Sequence, residues 1–463
     1  MRSFLPWCAL VAATLLSFSA GTRAELQPGT FLAVTQGSTS ATWRIHVVDR
    51  SHRSIQTLAI GGITWSGRAP YRVFIEDDKH FLIGVMQGRP AIWRASWTGS
   101  SWHATQLAAL NASPVPVLWD IERIGPWIYM STSSSGNNAY DGIVWRLSAA
   151  APTGFSRWAQ LGSNGVQGLP HALVAVGREL HVFMWNSTTL TGGRHVSLDT
   201  GQAVPSIAPH GSLPQSSYRC GSALPVLPTD AVYDEHVRQI IICGRMADLV
   251  WRTPQGAHVR QRSLGGPLTC APPQSRWLES MALDTDTGSL FCGSADRDLH
   301  EQLAHDANSV LSAMQFSTLP TGTYVRAMEY IATGSRYRRF SPGCPDGNAE
   351  IPCSYVTSPP SSPNPRFELC VRSSSSIAVL MLSTLRMPNP VPLGQVGAPG
   401  CSLGISPIWF IPTTTPASGG RGGLMLKLPL PSALPSPIGL HTQWLVPSMT
   451  NSLGLVFSDT RSM

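Results

Sequence analysis

The stretch from Cys220 to Leu299 is written twice, and this duplication constrains the fold more than any other feature of the chain. In the first copy, Cys220 leads through Asp230-Ala-Val-Tyr-Asp234 to Ile240-Ile-Ile-Cys243-Gly244 and Asp248-Leu249. In the second, Cys270 leads through Glu279-Ser-Met-Ala-Leu-Asp284 to Leu290-Phe-Cys292-Gly293 and Asp298-Leu299. Matching residues lie about 50 positions apart, a period that marks one supersecondary unit stacked against copies of itself. Short apolar runs separated by turns within that period predict a four-stranded β-propeller blade.

A second marker recurs at the same interval. Short apolar runs end in Trp43-Arg44, Trp93-Arg94, Trp145-Arg146 and Trp251-Arg252, with one degenerate copy near His195-Val-Ser-Leu198. The indole is expected to fill the space between neighbouring blades while the arginine reaches solvent or a carboxylate. Charged residues are only 13% of the 463 while Gly (42) and Pro (38) abound, which suits strands and turns and disfavours long helices. Units beginning at the N-terminus and near Tyr71, Val117, His171, Thr229, Trp277, Tyr324 and Ile405 give an all-β, eight-bladed propeller. The count becomes seven if Leu453-Gly-Leu-Val-Phe457 completes the first blade and closes the ring.

Residues 1–24 have the pattern of a secretory leader: Arg2, an apolar core from Cys8 to Phe18, and Thr22-Arg23-Ala24 before Glu25. Its apolar run is too short to span a bilayer, so a secreted or lumenal chain without a transmembrane anchor is expected, 25–463 forming one propeller domain. Without Cys8, the cysteines Cys220, Cys243, Cys270, Cys292, Cys344, Cys353, Cys370 and Cys401 are even in number, as a disulfide framework requires. Cys220–Cys243 and Cys270–Cys292 within repeats are the simplest pairings, with Cys243–Cys270 across repeats the alternative. Residues 334–366, rich in Pro, Ser and Gly, interrupt the rhythm and are expected to form an insertion stapled by Cys344 and Cys353. Asn186-Ser-Thr188 is a glycosylation sequon in a eukaryotic host.

Aligning the first strand of each repeat places one polar residue at its start: Arg72, Asp120, His171, Asp230, Glu279 and Arg326. In a propeller these would converge on the mouth of the central channel and line a ligand pocket. Asp120, His171, Asp230 and Glu279 have the ligand types for a divalent cation such as calcium, the one cofactor that the pattern permits. Two of the carboxyls could instead act as acid and base on a glycosidic bond, with Arg72 or Arg326 holding an acidic sugar. The competing structural reading has these groups binding loop backbones, or one another, around a water-filled channel.

Asp284-Thr-Asp-Thr-Gly-Ser-Leu-Phe291 resembles a hairpin of propellers of the low-density-lipoprotein-receptor type, a likeness confined to one repeat that implies fold only. No metalloprotease His-Glu-x-x-His motif or phosphate-cradling glycine loop is present. The net charge of +7 is dispersed and almost wholly arginine, which argues against nucleic acid. These observations favour a secreted recognition module for a glycan or an extracellular protein. The alternative is a carbohydrate- or ester-directed hydrolase or lyase.

Overall fold

The computed structural model describes residues 26, 29–37, 43–49, 55–65, 69–113, 115–134, 142–161, 168–185, 193–216, 226–235, 237–245, 248–264, 278–294, 298–303, 312–315, 323–332, 338–341, 344, 352–356, 367–372, 377–413, 424–428, 439–448, 451–458 and 460–462. The leader, Asn186, Cys220 and Cys270 lie outside them. No α-helix occurs among the described residues, and so none that is long and apolar enough to cross a membrane.

The fold is all-β and propeller-like, built from repeated antiparallel sheets. The second sheet runs Ala69–Ile75, His80–Gln87, Arg89–Trp97 and Trp102–Ala109, with the short strand Ile60–Gly61 added at its outer edge. The third starts at Pro116–Ile124, the fourth at Leu169–Val176, the fifth at Pro228–Asp234 and the sixth at Leu278–Asp284, each a four-stranded meander. The first is composite. Thr30–Gln36, Arg44–Asp49 and Ile55–Thr57 supply three strands, and Tyr324–Tyr330 supplies the fourth by pairing antiparallel to Thr30–Gln36, with Phe31 opposite Tyr330.

That pairing corrects two expectations. Leu455–Phe457 does not complete the first sheet but pairs with His441–Pro447, because Tyr324–Tyr330 already covers the open edge of Thr30–Gln36. The unit beginning at Tyr324 is therefore the missing strand of the first sheet. The unit at Ile405 is no repeat either, since Ser402–Ile405 pairs with Arg386–Pro392 in a two-stranded sheet. Six sheets of the repeating kind are found among the described residues where the sequence counts seven or eight.

Each sheet packs on the next. Leu32 and Phe81 share a core between the first and second sheets, Leu82 and Met130 between the second and third, and Tyr129 and Leu180 between the third and fourth. Phe183 and Ile240 join the fourth to the fifth, Ile241 and Cys292 the fifth to the sixth, and Phe291 and Phe31 the sixth to the first. Successive residues such as Ile240 and Ile241 thus serve opposite faces. Burial on both faces explains why these second strands read as unbroken apolar runs rather than alternating ones.

The tryptophans of the tryptophan-arginine pairs recur at the third strand, but Arg252 is buried and donates to the carbonyls of His210 and Gly256 rather than reaching solvent or a carboxylate. Trp93, Trp145 and Trp251 lie on the third strand of their sheets, and Trp43 immediately precedes the third strand of the first. Trp251 is wholly buried, Arg94 donates to Glu76 at 2.7 Å, and Arg146 lies 4.2 Å over the ring of Trp127.

Beyond Arg338 the strands form sheets of another kind, with the orders Arg338–Ser341, Thr460–Ser462, His441–Pro447, Ala378–Ser383, Trp409–Thr413 and Cys353–Val356, Glu368–Arg372, Leu424–Lys427. They enclose their own apolar cluster, including Phe367, Leu380, Trp444 and Val456. Two strands thus fall inside the stretch 334–366 that the sequence read as a loop insertion.

The disulfide framework also differs. Cys344 bonds Cys401 rather than Cys353, because both sulfurs lie in this apolar cluster while Cys353 belongs to a strand paired with Glu368–Arg372. Cys243 and Cys292 are buried free thiols in the core between the fifth and sixth sheets, so neither makes the within-repeat bridge expected of it.

Candidate functional site

The innermost strand of each sheet has no hydrogen-bonded strand on its inner edge, so its backbone polar groups need other partners. The sequence answers with a β-bulge at the same place in all six sheets. The pairing register slips at Tyr71, Trp119, His171, Thr229, Glu279 and Arg326. The residue after each bulge is Arg72, Asp120, Ala172, Asp230, Ser280 or Ala327. The six strand-start residues therefore split between two registers. Arg72, Asp120 and Asp230 follow a bulge, whereas His171, Glu279 and Arg326 are the bulged residues themselves.

The two groups do different work. Asp120 accepts from its neighbour Ile121 N at 2.8 Å and from Leu173 N of the next inner strand at 2.7 Å. Asp230 repeats this with Ala231 N at 2.9 Å and Met281 N at 2.8 Å. Arg72 crosses the ring, donating to the carbonyls of Trp119 (2.9 Å), Thr229 (2.7 Å) and Arg326 (2.5 Å), with Asp120 Oδ1 3.2 Å from its Nε. Thr229 and Ser280 hydroxyls bond the carbonyls of Leu278 and Val325 on the following strands. Among the bulged residues, His171 stacks on Trp119 at 3.8 Å between centroids, and Arg326 bridges Glu279 at 2.8 Å and Gln36 at 2.7 Å. Asp120, His171, Asp230 and Glu279 do not draw their ligand atoms together as a metal cage would.

A cavity of about 640 Å³ opens beside Arg72, Asp120 and Asp230, and all six inner strands line it. Three residues beyond each bulge, the wall carries Phe74, Glu122, Val174, Val232, Ala282 and Glu329. Two carboxyls thus sit at one level in an otherwise apolar belt. Burial pushes Glu122 up to about 8, although the N–H groups of Arg123 and Ala175 favour its ionised form. Glu329 lies well above the ordinary carboxyl value, through burial first and then through Glu122, Asp230 and Asp120. Both shifts favour the protonated form, in which a carboxyl offers one O–H donor beside its acceptor oxygen.

The rim is more polar. Arg461, from the last strand Thr460–Ser462, lines the cavity close to Gly288, whose φ of 75° a side chain would strain. Arg238 reaches the rim from a hairpin position at φ 53°, an uncommon conformation for a residue with a side chain. Sequence reasoning passed over Glu122 and Glu329. Their signal is their register, the same distance beyond two bulges, which becomes visible only once the bulges are placed.

No family model and no curated protein matches the chain. Among solved structures, a protein of unknown function from Bacteroides caccae aligns with TM-score 0.42 and 11% identity over 65% of this chain and 98% of that one. Another of unknown function from Bacteroides thetaiotaomicron gives 0.39 and 12% over 67% and 79%. A chain of the mitotic checkpoint complex gives 0.34 and 11% over 66% and 78%.

Proposed function

We propose that the protein is a secreted six-bladed β-propeller that recognises a small hydroxyl-rich ligand of the glycan class in its central cavity. The observation carrying this reading is the placement of Glu122 and Glu329 at one level of an apolar belt, where burial favours their neutral form. A neutral carboxyl can donate to and accept from sugar hydroxyls without the desolvation cost of a buried charge, while the apolar wall takes the faces of a sugar ring. A volume of about 640 Å³ fits a mono- or disaccharide and excludes a folded partner, so a protein ligand would have to present a glycan or a chain end. The Cys344–Cys401 disulfide supports an oxidising, extracellular setting.

The hydrolase reading rests on the same pair, since a carboxyl near pH 8 is suited to act as a general acid. Panels of neutral mono- and disaccharides, screened by thermal shift and then by calorimetry, separate the two. Recognition by a neutral carboxyl survives Glu122→Gln, which keeps a donor and an acceptor, and fails in Glu122→Ala. Turnover of a chromogenic glycoside that disappears in Glu122→Gln would favour the enzyme. Failure of every sugar to bind the wild type would remove the glycan reading.

A further inference from the structure

Away from the central cavity, the third strand of the fourth sheet departs from the tryptophan-arginine pattern and carries His195. His181 on the second strand and His210 on the fourth join it, and one ring nitrogen from each falls within a group spanning 4.8 Å. The register slips at His195, which therefore lies opposite both His210 and Gly211. Gly211 adopts φ 85°, the left-handed conformation that lets the outer strand bend there.

The three rings meet through their nitrogens. His181 Nδ1 lies 2.8 Å from His195 Nε2, so one of the two donates a proton to the other. Glu179 Oε2 lies 3.3 Å from His181 Nε2 without the alignment of a hydrogen bond, close enough for its charge to favour a proton on Nε2 and a lone pair on Nδ1. His210 Nε2 contacts Ser197 Oγ at 2.9 Å. His195 is 1% exposed, and its Nδ1 is buried without a hydrogen-bond partner. The charge facing the three rings from the fifth sheet is Arg252, which donates to the His210 carbonyl at 3.0 Å and so holds that strand in place.

We infer that His181, His195 and His210 form a binding site for a divalent transition-metal ion of the zinc type, with Glu179 as the positioning residue of His181. Imidazole nitrogens suit zinc, copper and nickel rather than calcium or magnesium. Zinc–nitrogen bonds of about 2.0–2.1 Å place tetrahedral ligand nitrogens about 3.3 Å apart. The ion would therefore replace the His181–His195 hydrogen bond with a small opening of the two rings. Three histidines leave a fourth position for water or an incoming ligand, and the site clips three strands of one sheet together.

The test uses the full chain, stripped with EDTA and dialysed, titrated with zinc chloride by calorimetry and with cobalt chloride by visible absorption. The expected result is one zinc per chain at micromolar affinity or tighter, with cobalt bands of a four-coordinate site. His195→Ala and His210→Ala should each weaken zinc binding about 100-fold, Glu179→Gln about 10-fold, and the exposed His258→Ala not at all. Should His195→Ala fail to fold, His210→Ala and Glu179→Gln still decide. Absence of saturable zinc uptake by the wild type, or uptake unchanged in His210→Ala, would overturn the inference.

Discussion

Asp120 and Asp230 make the same two contacts two sheets apart. Each carboxylate accepts the N–H of the residue that follows it and one N–H from the next inner strand, of Leu173 and Met281 respectively. Both lean on the Arg72 guanidinium, whose charge they maintain against the effect of its burial. These side chains stand in for the strand-to-strand ladder that inner edges cannot form with one another.

The consequence is a loss of stability when one of them is removed. Asp230→Ala leaves two buried N–H groups and part of a buried cation unpaired, and should cost about 2–4 kcal/mol in urea unfolding. Asp230→Asn keeps an acceptor for one N–H and should cost less. Equal stability of all three proteins would show that the contacts carry no weight.

Protonation of Glu122 has a definite sign. Its value in the folded chain, about 8, lies above the ordinary 4.5, so the folded state holds a proton that the unfolded state releases. The stabilisation is complete below pH 4.5 and is lost as pH rises towards 8. His46, His181 and His195 act oppositely and only below about pH 6.5, because burial lowers them and the unfolded chain takes up their protons. Between pH 6.5 and 8, wild-type stability should therefore fall relative to Glu122→Gln by about 1–2 kcal/mol. Parallel unfolding curves across this window would contradict it.

The thiols offer a chemical check. Cys243 and Cys292 are buried, and burial raises both well above the ordinary thiol value, so the native protein should not react at these positions with a thiol reagent at pH 8. Denatured without reductant, the protein should reveal at least these two thiols. A fully oxidised denatured chain would restore the within-repeat bridges that the sequence favoured.

The Cys344–Cys401 bond closes a segment with a sequence separation of 57 residues. Loop-closure entropy sets its worth at up to about 4 kcal/mol. Cys401→Ser should lower the melting temperature and open the region beyond Arg338 to limited proteolysis before the six repeated sheets. Simultaneous digestion of both regions would show that the C-terminal sheets have no separate stability.

Much of the repeat was legible in the sequence. The period and the third-strand tryptophans are local patterns, fixed by burial between neighbouring sheets. The number of sheets was not, because Tyr324–Tyr330 looks like the start of a new unit and only long-range pairing with Thr30–Gln36 reveals it as the last strand of the first. The strand-start ring slipped for His171, Glu279 and Arg326 because a bulge inserts one residue, and in a strand one residue changes the face. His181, His195 and His210 sit on three separate strands, and their meeting depends on cross-strand register that no spacing encodes.

The central claim is that the cavity presents neutral carboxyls. A pH titration of the side-chain carboxyl carbons, with glutamate labelled and Glu122→Gln used for assignment, tests it most directly. One resonance, absent from Glu122→Gln, should titrate with a midpoint near 8. If every glutamate resonance titrates near the ordinary value of about 4.3, the carboxyls are ionised at neutral pH and the account is contradicted.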